Sequence, residues 1–191
     1  LTDVQSGETW EKDRLKLEIL KRTNYYSKKG VKKGDNIVIL HNNNNNFFAD
    51  LFSMWMLGAC VSCLDQEIGS KEFTRLSEEL GFKYIVINGE IPKKLIKSIP
   101  EVIVLDTKQT VNFEPKLVYT KRDIDDPALI LYTSGSSGVP KGVIHSLRTL
   151  QTKWFTLQNF VPLDICKNTL CPLPTHFGHG LICNALYPLA T

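Results

Sequence analysis

Short apolar runs recur along the chain at residues 37–40, 60–64, 84–87, 102–105 and 128–131, and stretches of helical pattern separate all but the last pair. Turn-forming residues bound each run, and none shows strict alternation of apolar with polar side chains. A strand that is apolar on both sides must be covered on both sides. Helices alternating with such strands therefore predict an α/β fold, a mainly parallel sheet with helices on both faces.

The helical stretches differ in character. Residues 10–29 carry Leu15, Ile19 and Tyr26 amid many charges, the pattern of a surface helix with one apolar stripe. From Asn45 onward, Phe48, Phe52 and Trp55 fall at i, i+4 and i+7 with Leu51 and Met54 beside them, so that helix is apolar over most of its circumference. Residues 47–64 approach the length of a membrane span, but Asp50, two serines and the Gly58-Ala59 break indicate a buried helix running into a buried strand. A third helix is predicted from Ser70 to a stop at Gly81, and a fourth over 93–98. The asparagine tract 42–46 reads as a loop and helix cap. Residues 123–127 form a polar connector; no internal repeat and no boundary between two complete domains is visible, so one unfinished domain is expected.

Residues 132–142 read YTSGSSGVPKG, directly after the apolar run 128–131, and no acidic residue occurs from Tyr132 to Arg148. Small residues at a strand end expose successive backbone N–H groups, and a nearby lysine adds positive charge, which suits polyphosphate oxygens. The Walker pattern requires Ser or Thr immediately after Gly-Lys to hold Mg2+, whereas Lys141 is followed by Gly142. The dinucleotide pattern fails too, since Gly135, Gly138 and Gly142 lie three and four apart. A flexible Gly/Ser linker is the plain alternative. Closure by a single Pro-Lys-Gly favours a fixed loop between a strand and a helix.

The segment YTSGSSGVPKGV resembles the signature loop of the adenylate-forming, AMP-binding superfamily of acyl-CoA and aryl-CoA synthetases, luciferases and nonribosomal adenylation domains. GVKKGDNIVIL, FFADLFSMWMLGACVSCLD and PLPTHFGHGL agree with the N-terminal part of the same family, so the resemblance covers essentially the whole chain. It implies that Thr133, Ser134, Gly135, Ser136, Ser137 and Gly138 grip the ATP phosphates and that Lys141 stabilises departing pyrophosphate. It also implies a catalytic-site histidine at His176 and, at Phe177, a gate beside the acyl group and the pantetheine thiol. Many family members carry a second histidine where this chain has Leu147, a departure that bears more on the acid than on the nucleotide. Taken alone, His176 in an apolar segment is more often a hydrogen-bonded core residue. His176 and His179 near Cys166, Cys171 and Cys183 match no zinc spacing, so no metal ligand is expected here.

The resemblance implies ATP, coenzyme A and a small-molecule carboxylic acid as partners, with Mg2+ held by residues outside this chain. The family's adenine, ribose, hinge and C-terminal lysine signatures are absent, and there is no initiating Met. Residues 1–191 are accordingly expected to be part of an N-terminal AMP-binding domain, truncated at both ends, without the C-terminal lid, and inactive alone. A phosphate-binding remnant, adenylation for a carrier protein and luciferase-like oxidation remain open. A P-loop NTPase is disfavoured, because the only apolar run ending in Asp, 102–106, precedes the loop.

Composition narrows the field further. The 191 residues are 42% apolar and 23% charged with a net charge of +3, which excludes disorder and gives no basic surface for nucleic acid. The first residues are polar where a secretory segment would be apolar, and five cysteines without framework spacing fit reduced thiols, so a cytoplasmic protein without a transmembrane segment is expected. Cys60 and Cys63 form a CxxC, but residues three apart on a strand point to opposite faces, so they read as buried structural thiols.

Overall fold

The computed structural model describes residues 1–41, 43–89, 91, 95, 102–133 and 141–190. Two compact units divide the chain, Leu1–Arg122 and Asp123–Thr191, and the division falls at the polar connector.

The first unit is built from helices α1 (Lys12–Lys28), α2 (Asn45–Met56) and α3 (Ser70–Leu80) and strands β1 (Asn36–Ile39), β2 (Cys60–Cys63), β3 (Tyr84–Ile87) and β4 (Ile103–Asp106). Its strands lie in the order β4-β3-β1-β2. All three pairings are parallel, with Ile37 opposite Val61 on one side and Tyr84 on the other, and Tyr84 opposite Ile103. From β1 the chain moves one way to β2, then back across β1 to β3. Right-handed crossovers therefore put α2 and α3 on opposite faces of the sheet. Consistent with two-sided cover, every residue of β2 and β3 is buried.

Local chemistry sets the helix ends. Asn44 Oδ1 accepts the Phe47 N–H at 3.0 Å and caps α2, and Asn45 Nδ2 donates to the Glu8 carbonyl at 2.9 Å, so the asparagine tract is the cap it was expected to contain. Gly81 closes α3 in the left-handed conformation at φ 55°. The fourth predicted helix, over 93–98, lies almost wholly outside the described residues.

Helix α1 departs from its apolar-stripe reading. Its buried residues are Glu18, Arg22, Thr23, Asn24, Tyr25 and Tyr26, whereas Leu15 and Ile19 are only half-buried. Arg22 Nε donates to Asp50 Oδ1 at 2.6 Å, its Nη1 to Glu18 at 2.6 Å and its Nη2 to the Asn46 side chain. Tyr26 Oη donates to Asp50 Oδ1 at 2.6 Å, and His41 Nε2 lies 2.9 Å from Asp50 Oδ2. Burial alone would lower the Arg22 guanidinium, but Asp50, Tyr26 and Glu18 together hold it above its ordinary value. Asp50 in an otherwise apolar helix is thus the anchor of an ionic cluster tying α1, α2 and the end of β1 together. A buried carboxylate is tolerated only with such partners.

Cys60 and Cys63 are free and buried, and burial pushes the Cys60 thiol up to about 11 and Cys63 higher still. Neither is a reactive thiolate, as the structural reading of the CxxC requires.

The second unit contains the hairpin β5 (Pro127–Thr133) and β6 (Lys141–Ser146), helix α4 (Leu147–Gln158), a π-helix over His179–Leu186 and the short helix α5 (Tyr187–Ala190). The hairpin is antiparallel, with Thr133 opposite Lys141, Tyr132 opposite Gly142 and Leu131 opposite Val143. Strand β6 corrects the expectation of a helix directly after the loop. Val143 and Ile144 are good strand formers opposite the apolar β5, and α4 begins only at Leu147, where Ser146 Oγ accepts the Thr149 N–H at 3.2 Å. Among the described residues, no helix is long and apolar enough to cross a membrane.

Candidate active site

The second unit holds both segments that carry the candidate chemistry. Thr133 ends β5 and Lys141 begins β6, directly opposite each other in the antiparallel pair. Directly opposed residues of an antiparallel pair share a face, with Cβ atoms about 4.5–5.5 Å apart. The Thr133 hydroxyl also donates to the Lys141 carbonyl at 3.4 Å. Both residues are exposed. The Thr133 and Lys141 side chains therefore share one face at the open end of the pair. Ser134, Gly135, Ser136, Ser137 and Gly138 lie outside the described residues.

Below that end, the hairpin packs tightly at Gly142. A Cβ on Gly142 would stand 3.2 Å from Ile130 Cγ2 and 3.4 Å from Tyr132 Cε1, so the Tyr132 side chain covers the glycine across the ladder. The base is tied further to the connector, where Arg148 Nε and Nη2 reach Asp125 Oδ1 and Oδ2 at 2.6 and 3.0 Å. That pairing holds the Asp125 carboxyl below its ordinary value. On the same face as Lys141 and Val143, the His145 imidazole is lowered by burial and, secondarily, by Lys153.

His176 and Phe177 occupy the turn that leads into the π-helix. Their ring centroids are 4.4 Å apart at an interplanar angle of 45°, with His176 half-buried and Phe177 53% exposed. The Phe177 N–H donates to the Pro174 carbonyl at 3.1 Å, and the Phe177 carbonyl accepts the Leu181 N–H at 2.8 Å. Gly180 is locked against the incoming chain, because a Cβ there would lie 2.5 Å from the Pro174 carbonyl oxygen and 2.9 Å from Leu173 Cβ. His179 is exposed at the start of the π-helix.

The two segments meet on β5. A Cβ on Gly178, next to Phe177, would be 3.4 Å from Leu131 Cδ1, and Leu131 is two residues before Thr133. Segments far apart in sequence are thereby brought to one strand: Thr133 and Lys141 stand at its end, and Gly178, the residue after the His176–Phe177 pair, lies against Leu131. The cysteines show no rival site. Cys171 Sγ points at the Leu173 and Gly180 carbonyls, both at 3.5 Å, and no group of three or more His, Cys, Asp or Glu among the described residues is placed to hold a metal ion.

The AMP-binding enzyme family model matches residues 14–191. The chain belongs to the AMP-binding enzyme family. Among curated relatives, a 2-succinylbenzoate–CoA ligase of Geobacillus sp. (strain WCH70) is 27% identical over 138 residues, covering 72% of this chain and 27% of that protein. An N-benzoylphenylalaninol synthetase of Penicillium brevicompactum is 25% identical over 151 residues, covering 78% of this chain but 6% of that protein. The chain thus spans only 27% and 6% of the length of these two relatives. In fold it superposes on ATP-bound MatB from Rhodopseudomonas palustris with a TM-score of 0.86 at 18% identity, covering 96% of this chain and 39% of that one. The mainly parallel α/β architecture expected from the alternation of runs is the fold this chain shares with that structure.

Sequence reasoning missed two features of the site, β6 and the wide-turned helix. The first was legible in Val143-Ile144, whereas the second had no local signal apart from Gly178 and Gly180.

Proposed function

We propose that this chain is the N-terminal portion of an enzyme that activates a carboxylic acid with ATP and transfers the acyl group to coenzyme A. In the first step a carboxylate oxygen bonds to the α-phosphorus and the α–β bridge bond breaks, giving acyl-AMP and pyrophosphate. In the second, the thiol sulfur bonds to the acyl carbon, the bond from that carbon to the phosphate oxygen breaks, AMP leaves with its electron pair and the thiol proton passes to solvent. The observation that supports this most is that β5 carries Thr133, paired with Lys141, at its end and is approached at Leu131 by Gly178, the residue after the His176–Phe177 pair.

The obstacle to the first step is charge, because an anion must approach a polyanion. On this reading Lys141, with Thr133 beside it and the loop residues Ser134, Gly135, Ser136, Ser137 and Gly138, binds the β and γ phosphates. Each charge-assisted hydrogen bond contributes about 1.5–3 kcal/mol, and those that strengthen as charge moves onto pyrophosphate accelerate the step. His176 orients the carboxylate and excludes water with Phe177, whose exposed ring stands at the entrance for the thiol. Magnesium would arrive with the nucleotide; the described residues offer no ligand cluster for it.

The test is to supply the full-length protein with ATP, magnesium and a library of carboxylic acids, trapping activated acyl groups with hydroxylamine and, separately, with coenzyme A. Hydroxamate formation with stoichiometric pyrophosphate is the expected result, and thioester formation identifies coenzyme A as acceptor. Absence of hydroxamate with every acid would overturn the reading. Residues 1–191 alone are expected to give no acyl-AMP.

A further inference from the structure

The π-helix places one residue more in each turn than an α-helix, and turns of this kind concentrate at functional sites. A wide turn is held only if its carbonyls find partners. The Ile182 carbonyl has two: the Tyr187 N–H five residues on, and, from outside the helix, Trp154 Nε1–H at 3.2 Å. Trp154 lies on α4, which packs against the π-helix, and its half-buried ring is the one side chain of that helix seen to bond the wide-turned backbone among the described residues.

We propose that Trp154 is a positioning residue that sets which carboxylic acids the site accepts, an inference that rests on the acid-activating reading above. The path is short. Trp154 holds Ile182, the adjacent Leu181 N–H holds the Phe177 carbonyl, and the Phe177 N–H holds Pro174. Return of the helix to α register shifts it by one residue. That swings the side chains beyond the shift about 100° around the axis. The Phe177 backbone, bonded to the first turn, moves with it, and with Phe177 goes the ring stacked on His176. On that reading the triphosphate is held by the hairpin end at Thr133 and Lys141, which this path does not include. Loss of the indole N–H therefore alters acid selection without altering nucleotide binding.

The experiment uses the full-length protein and Trp154→Phe, which keeps an aromatic ring and removes only the donor. The first readout is hydrogen exchange of the Leu181 and Tyr187 amides. About tenfold faster exchange is expected in the variant, as for loss of one hydrogen bond; unchanged exchange overturns the proposal whatever the enzyme's reaction is. The second is acid-dependent ATP/pyrophosphate exchange across straight-chain acids of increasing length. The expected result is a KM for ATP within about twofold of wild type and a preference between the best acid and its longer neighbours changed at least about threefold. An unaltered preference profile, or an equal loss for all acids, overturns the proposal. Failure of the wild-type protein to exchange with any acid sinks the acid-activating reading, and the proposal with it.

Discussion

Gly180→Ala measures how tightly the histidine segment is clamped. The added Cβ would lie 2.5 Å from the Pro174 carbonyl oxygen, 2.9 Å from Leu173 Cβ and 3.1 Å from the Leu173 oxygen. Two of those three atoms are backbone, which cannot rotate away, so the chain at 173–174 or the first turn of the π-helix must shift. Overpacking of this kind costs about 1–3 kcal/mol, and backbone partners put it near the upper end. Ala gains about 1 kcal/mol over Gly in a helix, leaving roughly 2 kcal/mol of destabilisation. Gly178→Ala is the internal control: its Cβ would meet only Leu131 Cδ1 at 3.4 Å, and its φ of −56° suits any residue. Urea unfolding should therefore separate the two variants, with Gly180→Ala about 2 kcal/mol less stable and Gly178→Ala equal to wild type or slightly better. Equal stability of all three proteins would refute the clamping argument.

Three further outcomes follow from the same geometry. Arg22→Ala leaves Asp50 and Glu18 buried without their shared cation and should cost about 3–5 kcal/mol in urea unfolding; a loss under about 1 kcal/mol would mean the cluster relaxes freely. Thiol titration of the native protein should modify at most Cys166, Cys171 and Cys183, with Cys60 and Cys63 reacting only after denaturation, since burial raises both of the latter. For pH, Arg148 lowers Asp125 below its ordinary 3.8, so that contribution is present above pH 3.8 and is lost as pH falls through the depressed folded value. His145 is lowered below 6.5, so the native state resists its protonation and stability falls as pH drops from 6.5 toward the folded value. An NMR titration placing His145 at or above 6.5, or Asp125 unchanged in Arg148→Gln, would contradict these assignments.

Much of the architecture was legible because it rests on local rules. Runs apolar on both sides need cover on both sides, and β1 to β4 are parallel strands at nearly the residues their composition marks. Gly81 ends α3 where a left-handed residue is needed, and Asn44 caps α2. Helix α1 was misread because its burial depends on a partner 28 residues away: Glu18 and Arg22 look solvated until Asp50 is set beside them. In the candidate site, Thr133, Lys141, His176 and Phe177 are named as candidates through the resemblance to the AMP-binding family. The approach of the histidine segment to β5 could not be read in this way, since it arises from Gly178 packing on Leu131, and the wide-turned helix takes a Trp154 bond spanning 28 residues.

The central claim is that the hairpin end from Thr133 to Lys141 holds the triphosphate of a nucleotide while its α-phosphorus is transferred to an acid. Carboxylate-dependent ATP/pyrophosphate exchange by full-length wild type and Lys141→Ala tests it most directly. The account predicts exchange by the wild-type protein and a loss on the order of a hundredfold in the variant, with its fold intact by circular dichroism. Equal exchange by both proteins would contradict it.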